Sequence, residues 1–272
     1  MSYTVDAGIS PNSYLRSKIS NTGMELSILQ SLVFKEKNLT TIKNDGSLIT
    51  AGDPLSQIQI IETLKIIDRV EGKKRPVIAE ENGLDVLRSV SNYWLLDPLD
   101  GTYVYVKGFY GWGIILSEVL DGEVVRAFVY RHGAKPQIFE YCIHGGFSIN
   151  GSPLPKTRNT GPESLLVSKE SLDDLKESHP FLHSRIIELY RKKELLIRDS
   201  KSAASSLFSI CNSGCSYIST KTKIWEVNAL RALIHYGGTV LNLDGQLHDI
   251  SAQIRQPVFA SLSNTLSQRL FG

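Results

Sequence analysis

Six consecutive residues, Asp97-Pro98-Leu99-Asp100-Gly101-Thr102, gather groups that act together in phosphate chemistry. Two carboxylates stand three residues apart across a proline, and the apolar run Trp94-Leu95-Leu96 climbs into the first of them as a buried strand does. Asp100-Gly101-Thr102 suits a helix start, where backbone N–H groups lack partners and point outward. Cation-binding carboxylates, a hydroxyl and an anion-binding helix start are the parts that a divalent metal bridged to a phosphate requires. Asp-Pro and Asp-Gly are also ordinary turn dipeptides. The weight therefore rests on the other acids of the chain.

Those acids recur at element ends. Asp53 stands at a helix start before Pro54, Glu80-Glu81 follow the short strand Val77-Ile78-Ala79, and Glu226 follows Trp225 at the head of another helix. Brought together, such carboxylates repel one another unless cations neutralise them. Oxygen donors without cysteine or histidine select hard cations such as Mg²⁺, Mn²⁺ or Ca²⁺. Each acid also has a purely structural role open to it: Asp53 as an N-cap, Glu80-Glu81 as a solvated pair, Glu226 as a first-turn acid favoured by the helix dipole.

The elements that must position these residues follow from periodicity. Ile19, Leu26, Leu29 and Val33 predict a first helix over 13–35, and Ile58, Ile61 and Leu64 predict one apolar face on the helix begun at Asp53-Pro54. Residues 92–96 lead as a strand into the central segment. A β meander follows over 113–120, 123–130 and 137–143, with turns at Asp121-Gly122, Gly145-Gly146 and Asn150-Gly151. Pro153 and Pro155 mark the expected boundary between an α+β first half, 1–155, and an α/β second half, 156–272. In the second half, strands at 164–167, 194–197, 217–218, 239–243 and 258–261 alternate with helices at 170–177, 181–193, 202–213 and 225–236, and a short helix closes the chain. Such alternation argues for α/β layers.

Composition bounds the function. The chain has 272 residues, 42% hydrophobic and 21% charged, which is ordinary for a globular protein. A net charge of +2 and a pI near 8.3 are too mild to suggest a nucleic-acid polymer or a membrane surface. The N-terminal Met1-Ser2-Tyr3-Thr4-Val5-Asp6 has no basic and apolar leader pattern, and no apolar run approaches the roughly 18 residues of a span. Cys142, Cys211 and Cys215 form an odd, sparse set that implies a reducing compartment, with Cys211 and Cys215 read as buried small apolar residues; the expected location is cytoplasmic.

The order Asp53, Glu80-Glu81, Asp97-Pro98-Leu99-Asp100-Gly101-Thr102, Trp225-Glu226 resembles the lithium-sensitive, metal-dependent phosphatases. This is the superfamily of inositol monophosphatase, fructose-1,6-bisphosphatase and 3′(2′),5′-bisphosphate nucleotidase. Residues 43–53 look like its N-terminal signature, Gly146-Phe147-Ser148-Ile149-Asn150-Gly151 like its mid-chain turn, and Ser202-Ala203-Ala204 like its small-residue helix start. The resemblance implies an α/β fold, a layered αβαβα sandwich, and two or three Mg²⁺ per site, with Mn²⁺ a substitute and Li⁺ and Ca²⁺ inhibitory. It implies that Glu80, Asp97 and the Leu99 carbonyl hold one ion, that Asp97, Asp100 and Glu226 hold a second, and that Asp53 with Glu80 holds a weaker third. Thr102, with Asp53 or Glu81, would orient the attacking water, and the Gly101 and Thr102 N–H groups would bind phosphate oxygens. The implied partner is a small phosphate ester, and the implied assembly a monomer or homodimer.

Two departures bear on activity. Glu226 replaces the family's usual aspartate, and Asn228, Ala229 and Leu230 replace its two alanines and glycine. A catalytically weak or inactive metal- or phosphate-binding homologue is the reading they support. For the substrate, Ser205 stands where nucleotidases carry a phosphate-binding lysine, and Ser219 stands near the position of the inositol enzymes' acid. With Ser202, these residues are the candidate substrate contacts. A sugar, inositol or other polyol monophosphate is expected ahead of adenosine 3′,5′-bisphosphate. Tyr103, Tyr105, Tyr110 and Trp112 form an aromatic cluster that would stack on a base or sugar or fill a strand core.

Overall fold

Ser10 starts the first helix. Its hydroxyl accepts from the Ser13 N–H and Pro11 takes the first helical position, so α1 runs Pro11–Lys35. The computed structural model describes residues 10–36, 39–44, 46–80, 90–154, 163–247 and 255–272. A hairpin of β1 (Thr40–Ile42) and β2 (Leu48–Thr50) leads into α2 (Gly52–Val70). The predicted face of α2 holds at Leu64, with Ile61 partly buried against the same core, and is corrected at Ile58, which is 63% exposed; the buried stripe runs through Ser56, Ile60, Thr63, Leu64 and Ile67. Two members of that stripe are small and polar, so apolar spacing alone drew Ile58 into it.

The first sheet has seven strands in the order β3 (Val77–Ala79), β4 (Asn92–Asp100), β5 (Gly113–Leu120), β6 (Glu123–Arg131), β7 (Gln137–Cys142), β8 (Gly146–Ile149) and β9 (Ser152–Pro153). β3 pairs parallel with β4 and the rest are antiparallel. The short helix α3 (Thr102–Val106) leaves the end of β4. The second sheet orders β11 (Leu195–Arg198), β10 (Glu163–Leu166), β12 (Ser216–Lys223), β14 (Arg255–Ser261) and β13 (Thr239–Leu241). Its helices are α4 (Lys169–Ser178), α5 (Pro180–Arg191), α6 (Ala203–Ser213), α7 (Ile224–Arg231), which runs into a 3₁₀ turn at Ala232–Tyr236, and α8 (Asn264–Phe271). None of the helices described is long and apolar enough to cross a membrane.

Three cores stack these elements as αβαβα. Leu15, Leu26 and Ile60 of α1 and α2 pack with Trp94, Leu96 and Phe128 on one face of the seven-stranded sheet. Leu95, Val129 and Phe139 on its other face meet Leu207 and Phe208 of α6, Leu230 of α7, and Val258 and Ala260 of the five-stranded sheet. Leu175, Ile186 and Leu270 of α4, α5 and α8 cover that sheet's far face. Side chains alternate along a strand, so a strand covered on both faces reads as an unbroken apolar run, as Trp94-Leu95-Leu96 does. Leu230 is buried in this middle layer, which accommodates it without the small residue the resemblance leads one to expect.

A register shift in β4 builds the site. Carboxylates three residues apart on a regular strand face opposite sides. Here Asp97 pairs with Ile115 and Asp100 with Gly113, so three steps on β4 match two on β5. The extra residue is a bulge, at which Pro98, with no N–H to give the ladder, costs little. It returns Asp97 and Asp100 to one side. Gly101 then turns the chain in the left-handed region at φ 77°, and a Cβ there would come within 2.9 Å of the Ser202 Cβ. Both constraints demand glycine.

Candidate active site

Asp97, Asp100 and Glu226 each place a carboxylate oxygen within 4.8 Å of the others, the one such group among the described residues. Each is fixed by backbone. The Leu99 N–H donates to Asp97 Oδ1 at 3.0 Å. The Ala204 N–H at the head of α6 donates to Asp100 Oδ2 at 2.7 Å. Glu226, in the first turn of α7, accepts from the Lys223 N–H at 3.0 Å. Glu226 therefore performs the helix-start role its sequence position predicts and also joins the cluster.

The electrostatics of the cluster call for a cation. Burial, then the charges of Glu80 and Asp100, raises the Asp97 carboxyl well above its ordinary range. Burial raises Asp100 despite its helix N–H partners, and burial followed by Asp100 pushes Glu226 up to about 8. Two buried carboxylates and a half-buried third that resist ionising together, offering oxygen alone, fit a hard divalent ion such as Mg²⁺.

Glu80 lies beside this group, and two lysines reach it. Lys223 makes a short ion pair with it and Lys43 stands 3.4 Å away. Burial works against the Lys223 charge, yet Glu80 and Asp97 hold its pKa above the ordinary lysine value. Lys223 thus supplies a resident positive charge where a divalent ion would compete for Glu80. Lys223→Met should tighten Mg²⁺ binding by about tenfold, since a repelling charge within a few ångströms is removed. Isothermal titration with Mg²⁺ checks this; equal or weaker binding by the variant would show that the lysine does not compete.

The cleft above the cluster has a volume of about 440 Å³. Of the residues singled out from sequence, Glu80, Asp97, Leu99, Asp100, Gly101, Thr102, Ser202, Ser219 and Glu226 line it. Asp53 does not: it is buried at the start of α2, where its Oδ2 accepts from the Thr50 N–H at 2.7 Å and hydroxyl at 2.8 Å. Ser205 faces an adjoining cavity and donates to the Gly111 carbonyl at 2.9 Å. Glu81 lies outside the described residues. The Thr102 hydroxyl donates to the Leu99 carbonyl at 3.0 Å. The aromatic cluster divides: Tyr105 and Trp112 are core, while Tyr103 (65% exposed) stands at the cleft and Tyr110 (58%) at the adjoining cavity. Sequence reasoning missed Tyr217 and Lys221 of β12 on the cleft wall, because only two residues of this eight-residue strand carried an apolar signal.

The inositol monophosphatase family profile matches residues 22–269. The chain belongs to this family. It is 23% identical over 236 residues to the chloroplastic phosphatase IMPL1 of Arabidopsis thaliana, covering 83% of this chain and 61% of that one. It is 27% identical over 137 residues to the 3′(2′),5′-bisphosphate nucleotidase CysQ of Salmonella typhimurium, covering 48% and 53%. The chain thus spans about half the length of the curated relatives it matches. Inositol monophosphatase-II of Staphylococcus aureus MSSA476 shares the fold with a TM-score of 0.74 at 20% identity, over 96% of this chain and 94% of that one. The family profile begins inside α1 and ends inside α8, so the layered sandwich and the acidic cluster lie within one family-wide pattern.

Proposed function

We propose that this member of the family is a metal-dependent phosphomonoesterase of a small phosphate ester, with a sugar, inositol or other polyol phosphate as substrate. The observation that carries this reading is the Asp97–Asp100–Glu226 cluster, buried at the floor of a cleft that Gly101 and Thr102 also line. These three carboxylates, with Glu80 and the Leu99 carbonyl beside them, would hold the Mg²⁺ ions. Bound Mg²⁺ supplies charge to phosphoryl oxygens and lowers the pKa of water.

The chain's own groups do the rest. First-turn N–H groups of a helix have no partner within it, so Gly101 and Thr102 can donate to a phosphate. The Thr102 proton is committed to Leu99, which leaves the hydroxyl oxygen to accept from, and so orient, a water. Glu81 would serve as its acidic partner, and Asp53 would have to turn from Thr50 toward the cleft to share that role or to join Glu80 as a further, weaker cation site. Ser202 presents its oxygen to the Ser205 N–H and its proton to the Gly111 carbonyl, so it acts by holding the cleft wall. Ser219 and Tyr217 offer hydroxyls to a polyol.

A second reading, 3′(2′),5′-bisphosphate nucleotidase, is favoured by Tyr103, an exposed ring at the cleft on which a base can stack. One experiment separates the readings. The protein is given Mg²⁺ and inositol 1-phosphate, glucose 1-phosphate or adenosine 3′,5′-bisphosphate in ¹⁸O-labelled water. The expected result is inorganic phosphate carrying one ¹⁸O, unlabelled alcohol, and the higher kcat/KM on a sugar or polyol phosphate. A bisphosphate preference above about tenfold would move the assignment to the nucleotidase. No release from any ester would leave a binding homologue.

A further inference from the structure

Lys223 ends β12 and stands at the N-cap of α7, and three neighbours fix where its ammonium sits. Its backbone N–H donates to Glu226 at 3.0 Å, which ties the residue to the acidic cluster. Its Nζ makes the short ion pair with Glu80, the residue after β3. The same Nζ lies 5.6 Å from the centre of the Trp225 ring. A cation over an indole is attracted by the ring's quadrupole, so a carboxylate and an aromatic ring hold one group. The Lys223 side chain is 21% exposed and that of Glu80 14%. Water and salt screen such a half-buried pair far less than an exposed one, so this ammonium is anchored where a surface lysine is not.

The donors around it form one cation set, and the second set is already engaged. Asp97, Asp100 and Glu226 are the one group of three carboxylates among the described residues whose oxygens lie within 4.8 Å of one another, and Glu80 is outside it. A second divalent ion beside the first would draw on Glu80, Asp97 and the Leu99 carbonyl. Lys223 and Lys43, the latter at 3.4 Å, both take Glu80. The Leu99 carbonyl accepts from the Thr102 hydroxyl at 3.0 Å, and Asp97 Oδ1 accepts from the Leu99 N–H at 3.0 Å. An ion entering there would have to evict the ammonium or bind beside it, and a dication is repelled by an ammonium twice as strongly as a single charge is. Lys223 lines the same cleft as the cluster, so it borders the space open to a phosphate.

We propose that the Lys223 ammonium takes the place of one divalent ion, so that this cleft binds a single tight ion on Asp97, Asp100 and Glu226, and the lysine gives the bound phosphate its second positive charge. This rests on the metal-dependent phosphatase reading and narrows it: the resemblance implies two or three ions, and this chain works with one. An ammonium offers a phosphate a point charge and three donors, as one face of a hydrated ion does. It cannot dissociate, so the charge it supplies does not depend on the concentration of free Mg²⁺.

Counting bound Mn²⁺ tests this without any turnover. Titration in the presence of inorganic phosphate gives the number of tight ions, and the electron paramagnetic resonance spectrum shows whether they are neighbours. Wild type should take up a single tight ion with the spectrum of an isolated Mn²⁺. Lys223→Met, which keeps a long unbranched stem, should take up a second, and two ions roughly 3.5–4 Å apart should broaden each other's signal. Lys223→Arg keeps the charge, and Lys43→Met leaves Lys223 in place, so both should stay at a single ion. Two coupled ions in wild type would overturn the proposal and leave the metal centre standing; no ion in wild type would remove the metal centre and the proposal with it. A single ion in Lys223→Met, or a second ion in Lys43→Met as well, would show that the Lys223 ammonium is not what excludes it. A second titration, with inorganic phosphate at a Mn²⁺ level that fills only the first site, tests the role toward substrate. Lys223→Met should bind phosphate at least about tenfold more weakly than wild type, and equal affinities would overturn that role.

Discussion

Asp97→Asn should reduce Mg²⁺-dependent phosphate release by roughly 10³-fold, beyond the 10–100-fold typical of residues that only support a metal ligand. The reason is position. Asp97 lies beside Glu80 on one side and in the cluster with Asp100 and Glu226 on the other, so it alone serves both candidate ion positions. Burial and its acidic neighbours make Asp97 harder to ionise in the folded chain than in the unfolded one. An ionised Asp97 therefore costs stability above the ordinary carboxylate range while no metal is bound, and the neutral amide removes that cost. The metal-free variant should melt no lower than wild type but should lose the rise in Tm that Mg²⁺ confers. Near-normal turnover at saturating Mg²⁺, or a retained Mg²⁺ stabilisation, would contradict the role given to this carboxylate.

The largest stability effect is expected far from the cleft. Trp94, on β4 one residue from the core of the middle layer, has the guanidiniums of Arg75 and Arg126 over its ring, their central carbons 4.7 and 5.0 Å from the ring centre. Glu118, 1% exposed, makes short ion pairs with both arginines. Asp68 accepts from the Arg75 Nε at 2.8 Å, and Glu71 takes two bonds from Arg126 at 2.7 and 2.8 Å. Burial alone would raise the Glu71 carboxyl, but Arg126 and Arg75 reverse it and hold it below its ordinary range. Removing one partner of a buried pair leaves a charge without compensation, at a cost of about 3–5 kcal/mol. Glu118→Ala should lower Tm by roughly 10 °C for a chain of this size. Arg75→Met added to it should recover part of the loss, because the stranded charge goes too. A Tm within about 2 °C of wild type in Glu118→Ala would show that Asp68 and Glu71 suffice for both arginines.

Much of this molecule was legible in its residues. Periodicity and turn dipeptides located the meander and most helices, because each element buries a face and the turns use residues suited to positive φ, as Asp121-Gly122 does. The acidic cluster was legible because carboxylates at strand and helix ends have few reasons to recur. The rest depended on three dimensions. Only the register shift between Asp97 and Asp100 shows why two acids an odd number of residues apart share a side. Glu226 gave two valid local signals, helix start and metal donor, and the fold uses both. Lys223 gave no local sign of its role, since its partner Glu80 is distant in sequence. Ser205 took its reading from a position in the family pattern, whereas the fold turns it to an adjoining cavity, where its hydroxyl donates to the Gly111 carbonyl. The Arg75–Glu118–Arg126 network gave no local signal, because its members come from three separate segments.

The acidic cluster as a divalent-cation site is tested most directly by Mn²⁺ binding, followed by electron paramagnetic resonance in wild type and Asp97→Asn, each with and without inorganic phosphate. Wild type should bind Mn²⁺, bind it more tightly when phosphate is present, and release it to excess Mg²⁺, while Asp97→Asn should show neither the tight binding nor the phosphate effect. Equal Mn²⁺ affinity in the two proteins, or binding indifferent to phosphate, would contradict a metal centre built on Asp97, Asp100 and Glu226.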